Sequence, residues 1–271
     1  MTSVTPTPEN SRIDITQPHT ARIWNYWLGG KDHYEVDRAA GDRIRELHPD
    51  IGEYARADRL FLGRAVTHLV TRAGIRQFLD IGTGLPTADN THEVAQRLAP
   101  DSRVVYVDND PLVLAHARAL LSSTPEGRTD YLDEDLRHTE AILEHAEKTL
   151  DLAEPVALML LGVVIFVGDD EDPYALVRRL LDRLPAGSHL VLSHTVTTPA
   201  MPDVDEAVRF WNEHGTPKLT QRTPERVARF FDGLELLEPG VVSCSRWRPE
   251  RQGAEPEPAE VAMFGGVGRK H

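Results

Sequence analysis

The chain has 271 residues, a formal net charge of −13 and one cysteine, Cys244. That length supports a substantial core and one principal domain. The charge argues against a nonspecific nucleic-acid binder, which needs clustered positive charge, and a single cysteine rules out an intrachain disulfide and argues against a cysteine-based zinc cluster.

No apolar run approaches the roughly 20 residues of a membrane span, and the polar, proline-dotted start, Met1–Pro18, lacks the apolar middle of a signal peptide. The expectation is a soluble cytoplasmic protein with a mobile leader over residues 1–18. His19–Asp37 follows, dense in aromatics, with Arg22, Asn25 and a Gly29-Gly30 pair. It reads as an N-terminal helix stopped by glycine, or as a lid in which Arg22 grips a ligand carboxylate with its planar fork and Gly30 lets the backbone close over the ligand. Asp37–Leu47 and Glu53–Ala73 read as helices. In the second, Leu60, Phe61, Ala65, Val66, Leu69 and Val70 recur at helical spacing, and Arg56 and Arg59 are expected to solvate it.

Gln77–Ile81 reads as a buried strand ending at an acid, Asp80, and running into a Gly82-Thr83-Gly84 turn. The glycines offer positive φ and close backbone approach. Asn90 and Glu93 have capping-box spacing, so a helix is expected over Asn90–Leu98. Strand, glycine turn and helix open a nucleotide-binding βαβ unit. A second strand, Val104–Asp108, ends in a carboxylate 24 positions after Gly84, close to the spacing at which an acid meets a ribose diol. Asp110-Pro111 starts the next helix, reaching about Leu121. Tyr131-Leu132 is a short third strand, and an acid in the following Asp133–Leu136 turn could accept from an adenine amino group.

Pro155–Val167 begins as a central parallel strand, with Gly162 at its end and a turn beside the cleft after it. Asp169–Asp172 reads as a solvated helix start ahead of Pro173 rather than a metal site. The helix Tyr174–Leu184, the strand His189–Ser193 and the helices Asp203–His214 and Thr223–Phe231 complete the alternation. Leu234–Val242 and Val261–Val267 are closing strands, joined by an exposed loop over Arg248–Glu260. His194, at a strand end, reads as a general base or as a satisfied polar residue. No histidine spacing suggests a metal site.

These elements make an α/β fold with a mostly parallel sheet covered on both faces, and ligands bind at the carboxyl ends of its strands. Thr87 stands where a dinucleotide fold carries its third glycine. The acid–x–G–x–G arrangement of Asp80-Ile81-Gly82-Thr83-Gly84 fits S-adenosylmethionine better.

The segments Ala21–Asp32, Gln77–Thr87, Val105–Pro111, Asp135–Arg137 and Phe264–Lys270 resemble the bacterial S-adenosyl methyltransferase family of uncertain acceptor, over nearly the whole chain. The resemblance implies a Rossmann-like, seven-stranded sheet with an antiparallel last strand, and an N-terminal helical lid over residues 19–75 on a cofactor-binding core over residues 76–271. Pro86 departs from the general methyltransferase pattern, in which a third glycine is common. The implied cofactor is S-adenosyl-L-methionine. Gly82 and Gly84 would line its methionine part with Asp80, Thr83 and Leu161 nearby, and Arg22 would hold the carboxylate. Asp108 would hold the ribose, Asn109 would flank the adenine, and Asp135 with the Leu136 amide would read its edge. Tyr26 and Gly30 belong to the enclosing lid.

His194 and Tyr26 are the candidate bases. Leu160-Leu161-Gly162-Val163 stands where amino-methylating enzymes carry Asn-Pro-Pro-Tyr, which weakens a nucleic-acid or amide-nitrogen acceptor and leaves small-molecule O- or N-methylation, or no catalysis; no membrane partner is expected. The alternatives are a noncatalytic S-adenosylmethionine- or S-adenosylhomocysteine-binding protein and an NAD-dependent oxidoreductase. No residue pattern sets an oligomeric state.

Overall fold

The structure is a computed structural model that describes residues 14–86, 89–120, 123–249 and 256–271. Most of the leader, Thr87 and part of the Arg248–Glu260 loop lie outside the described residues.

Five parallel strands form the centre: β1 (Gln77–Ile81), β2 (Arg103–Asp108), β3 (Arg128–Asp133), β4 (Ala157–Leu161) and β5 (His189–Thr195). β1, β4 and β5 are buried almost throughout, as expected of continuous apolar runs covered on both faces. The sheet order is β3-β2-β1-β4-β5-β8-β6, where β8 is Met263–Arg269 and β6 is Glu235–Leu236, and β7 (Val242–Ser243) also pairs with β8. β8 runs antiparallel to β5. The order turns back between β1 and β4, the place where an open sheet leaves a crevice for a ligand.

The expected strand Leu234–Val242 is instead two short ones, β6 and β7, both paired with β8. Pro239-Gly240 interrupts the run, since proline withholds a ladder donor and Gly240 has φ 89°. The split makes eight strands among the described residues where seven were expected.

The helices are α1 (Thr20–Trp27), α2 (Glu35–Leu47), α3 (Ile51–Arg72), α4 (Thr91–Leu98), α5 (Pro111–Leu120), α6 (Thr139–Ala146), α7 (Pro173–Asp182), α8 (Pro202–His214) and α9 (Pro224–Ala228). The Asn90 amide N–H donates to Glu93 Oε2 at 2.7 Å, closing the capping box of α4. Asp110 Oδ1 accepts the Leu112 N–H at 2.9 Å at the head of α5. In α3, Leu60 is 62 % exposed and does not join the core. It lies about 100° around the helix from its buried neighbour Phe61.

α1, α2 and α3 share one hydrophobic cluster with the sheet, running from Ile23, Trp27 and Tyr54 to Leu79, Leu160 and Val267. A buried ion pair ties this region together. Asp37 accepts the His19 N–H at 2.9 Å and the Tyr34 N–H at 2.8 Å. Its second oxygen lies 3.2 Å from Arg22 Nε, and the Arg22 guanidinium donates to the carbonyls of Asp14 and Gln17. Asp37→Ala would strand a buried cation, so urea unfolding is expected to show a loss of about 3–5 kcal/mol. Unchanged stability would remove this pair as the anchor of α1.

Candidate active site

A cavity of about 400 Å³ opens at the carboxyl ends of β1, β2 and β4 and is closed on one side by α1 and α3. Its floor is the turn after β1. Gly82 has φ 77° and Gly84 has φ 64°, values that favour glycine. A side chain on Gly82 would run into Val163 of the turn after β4. The first glycine therefore admits another loop of the protein as well as any ligand.

Asp108, at the end of β2, accepts the Gly84 N–H at 2.9 Å through Oδ2 and the Asp110 N–H at 2.9 Å through Oδ1. Burial raises its carboxyl above the usual range. Asp80 lines the same cavity, is pushed up to about 6 by burial, and accepts from the Thr91 hydroxyl at 2.6 Å. Asn109 Nδ2 donates to Asp135 Oδ2 at 3.1 Å, and Arg137 pairs with Asp135 at 3.2 Å. Asn109, Asp135, Leu136, Thr83 and Leu161 all line the cavity.

Four expected site residues lie elsewhere. Along α1, Ala21, Trp24, Asn25 and Leu28 face the cavity at helical spacing. Arg22 and Tyr26, four apart, share a different face. Arg22 is committed to Asp37, and Tyr26 donates to Asp42 at 2.5 Å with Arg45 over its ring. Gly30 packs against the Asn25 amide, which a Cβ would overlap, and Asn25 Oδ1 accepts the Asp32 N–H at 3.0 Å.

His194 is fully buried and is not in the cavity. Its Nδ1 lies 2.7 Å from the Thr195 carbonyl, and its Nε2 accepts from Arg222 Nη1 at 2.8 Å. Burial lowers it to about 3, so it stays neutral and structural. Neither candidate base therefore reaches the cavity.

Two lining residues are not marked as site residues by the sequence, which leaves Asp58 unassigned and gives Arg59 a solvating role. Asp58 and Arg59 of α3 both line the cavity. Asp58 is held near Ser193 and pushed up to about 6 by burial. The available signal was an acid between Ala55 and Leu62 on the buried stripe of an otherwise apolar helix face. Arg59 Nη2 donates to Asn90 Oδ1 at 2.9 Å.

A family model described as S-adenosyl methyltransferase matches residues 6–271. The chain belongs to that family. Among solved structures, it is similar to a DUF574 family protein from Streptomyces avermitilis MA-4680, at 46% identity over 96% of this chain and 100% of that one, with a TM-score of 0.90. A methyltransferase candidate from Thermobifida fusca YX matches at 40% identity over 95% and 96% of the two chains, with a TM-score of 0.87. The magnesium protoporphyrin IX methyltransferase of Synechocystis PCC 6803, solved with bound S-adenosylhomocysteine, shares the fold at 12% identity over 92% and 93%, with a TM-score of 0.51. No curated protein matches the chain. The protein is an S-adenosylmethionine-dependent methyltransferase, and S-adenosylmethionine is its cofactor.

The placement of His194 carries a signed pH consequence. An unfolded imidazole takes a proton below about 6.5, but the folded one does so only near 3, so falling pH favours unfolding through this group. The stability difference between the wild type and His194→Gln is expected to be largest above pH 6.5 and to shrink as pH falls toward 3. Urea titrations at several pH values measure it, and a difference independent of pH would mean that the folded ring takes up its proton at the same pH as the unfolded one.

Proposed function

We propose that this methyltransferase transfers its methyl group to a small, largely apolar molecule through a hydroxyl or amine. The observation that carries this reading is a second cavity, of about 80 Å³, that shares Thr20, Trp24, Gly162 and Phe166 with the first. Its other walls include Ile23, Trp27, Ile51, Ile165 and Trp211. An apolar, aromatic-lined recess beside a polar one suits an acceptor bound mainly by burial.

The first cavity fits the cofactor by the chemistry of its groups. S-adenosylmethionine supplies a methyl already activated on a sulfonium, and its ammonium adds a second positive charge. Asp58 and Asp80 are carboxyls facing that cavity, and both become stronger partners once ionised. Asp108 keeps lone pairs for a ribose diol beyond its two backbone bonds. Asp135 and Leu136 sit where an adenine edge would lie, with Asn109 beside it. Arg59 replaces Arg22 as the cation for the cofactor carboxylate, since it lines the cavity and Arg22 does not. The protein's part in the reaction is then alignment and the exclusion of water, with α1 as the covering wall. The single thiol, Cys244, is buried and free. A lone cysteine calls for no oxidising compartment, and a cytoplasmic site of action is part of this proposal.

Calorimetric titration with S-adenosylmethionine, S-adenosylhomocysteine and NAD tests this reading. Binding of both adenosyl ligands and not of NAD is expected, and the affinity for S-adenosylmethionine should weaken as pH falls through about 6, where Asp58 and Asp80 gain protons. Arg59→Met should weaken binding about 10- to 100-fold, as for a lost charge-assisted bond. Undiminished binding by that variant would return the carboxylate to another cation.

A further inference from the structure

The second cavity contains a base in position. His48 ends α2 and is 7 % exposed. Its Nδ1 lies 2.5 Å from Asp203 Oδ2 on α8. A carboxylate accepts only, so Nδ1 carries the proton in that contact, and the lone pair of a neutral ring sits on Nε2. Nε2 is buried and has no hydrogen-bond partner among the described residues. The ring lines the apolar cavity beside Tyr54, with the two rings edge to face at 6.0 Å. A buried acceptor without a donor costs free energy unless something fills it. An acceptor molecule's hydroxyl would supply that donor.

We infer that His48 is the general base of this methyltransferase, that Asp203 is its positioning residue, and that the acceptor is a hydroxyl on an apolar, ring-sized group. This rests on the proposed reading of the second cavity as the acceptor site. An aliphatic or aromatic hydroxyl is a poor nucleophile until its proton leaves, whereas a neutral amine attacks through its own lone pair, so a dedicated base favours the hydroxyl. The hydroxyl proton moves to His48 Nε2 while the oxygen attacks the methyl carbon. The new O–CH₃ bond forms as the S–CH₃ bond breaks, and its electron pair stays on sulfur, leaving a neutral thioether. His48 then gives the proton to solvent.

The Asp203 carboxylate faces the imidazolium formed in between and fixes the ring's tautomer. Tyr54 lines the cavity beside Thr195, and burial raises its hydroxyl well above the ordinary range. It stays protonated and can donate to the acceptor oxygen. Ile165, Phe166, Val204 and Trp211 supply the apolar walls.

The test uses 4-nitrophenol as the probe, because its anion absorbs at a longer wavelength than its neutral form. The probe is titrated into the full chain saturated with S-adenosylhomocysteine, at a pH below the phenol's own pKa. The expected result is saturable binding with the phenolate spectrum in the wild type. In His48→Gln the same probe should bind as neutral phenol or at least 10-fold more weakly, while the S-adenosylhomocysteine affinity is unchanged. Asp203→Asn, altered at a half-exposed side chain, should lower the bound phenolate fraction in the same direction and covers the case in which His48→Gln fails to fold. No probe binding by the wild type, binding by the wild type only as neutral phenol, or a phenolate signal in both variants undiminished from the wild type's would overturn the assignment. Loss of S-adenosylhomocysteine binding by the wild type would instead defeat the cofactor site, and it is read separately.

Discussion

The chemistry of this molecule depends on the segment that follows β4, and one buried cation holds that segment in place. Arg222 is fully buried. It donates to the carbonyls of Val164 at 3.4 Å and Val167 at 2.8 Å, to His194 Nε2 at 2.8 Å and to Asp169 at 2.9 Å. Irregular backbone cannot satisfy its own carbonyls, and a guanidinium with five donors can. The segment so fixed carries Gly162 and Phe166, which face both cavities, and Val163, which presses on Gly82. The glycine turn of β1 and the turn after β4 are therefore one packed unit. His194 serves this unit as a neutral acceptor, which explains a histidine at a strand end without assigning it catalysis.

The N-terminal region solves a different problem with the same device. A helix of eight residues has little stability of its own. α1 is held by Arg22 and Asp37 on one side and by Trp27 donating to the Gly41 carbonyl at 3.2 Å on another. That leaves Trp24, Asn25 and Leu28 to form a wall of the larger cavity. The aromatics and glycines of His19–Asp37 mostly serve this packing. A wall pinned by a buried ion pair gives the cavity a defined shape, and transfer of an activated methyl group calls for a site that excludes water.

Local chemistry was the legible part of the sequence. The Gly82-Thr83-Gly84 turn, the acid at the end of β2, the caps at Asn90 and Asp110 and the buried strands each follow from spacing within a few residues. The illegible part depended on contacts between distant segments. Which face of α1 meets the cavity cannot be read from a short helix rich in large residues on every side, so Arg22 and Tyr26 were placed toward the ligand and Trp24 was not. Arg59 looked like a solvating residue because its partner Asn90 lies 31 positions away. The pairing of His48 with Asp203 spans 155 positions and leaves no local mark. Of the two closing strands, Leu234–Val242 is broken for a simpler reason: Pro239-Gly240 lies inside that run.

The two cavities meet at Gly162, and the account places the reacting sulfur at that seam. A crystal structure of the protein with S-adenosylhomocysteine measures this directly. The account predicts the thioether beside Gly162, the ribose on Asp108, the adenine between Asn109 and Leu136, and the carboxylate toward Arg59. A ligand whose carboxylate reaches Arg22, or whose sulfur lies away from Gly162 with the second cavity walled off, would contradict it.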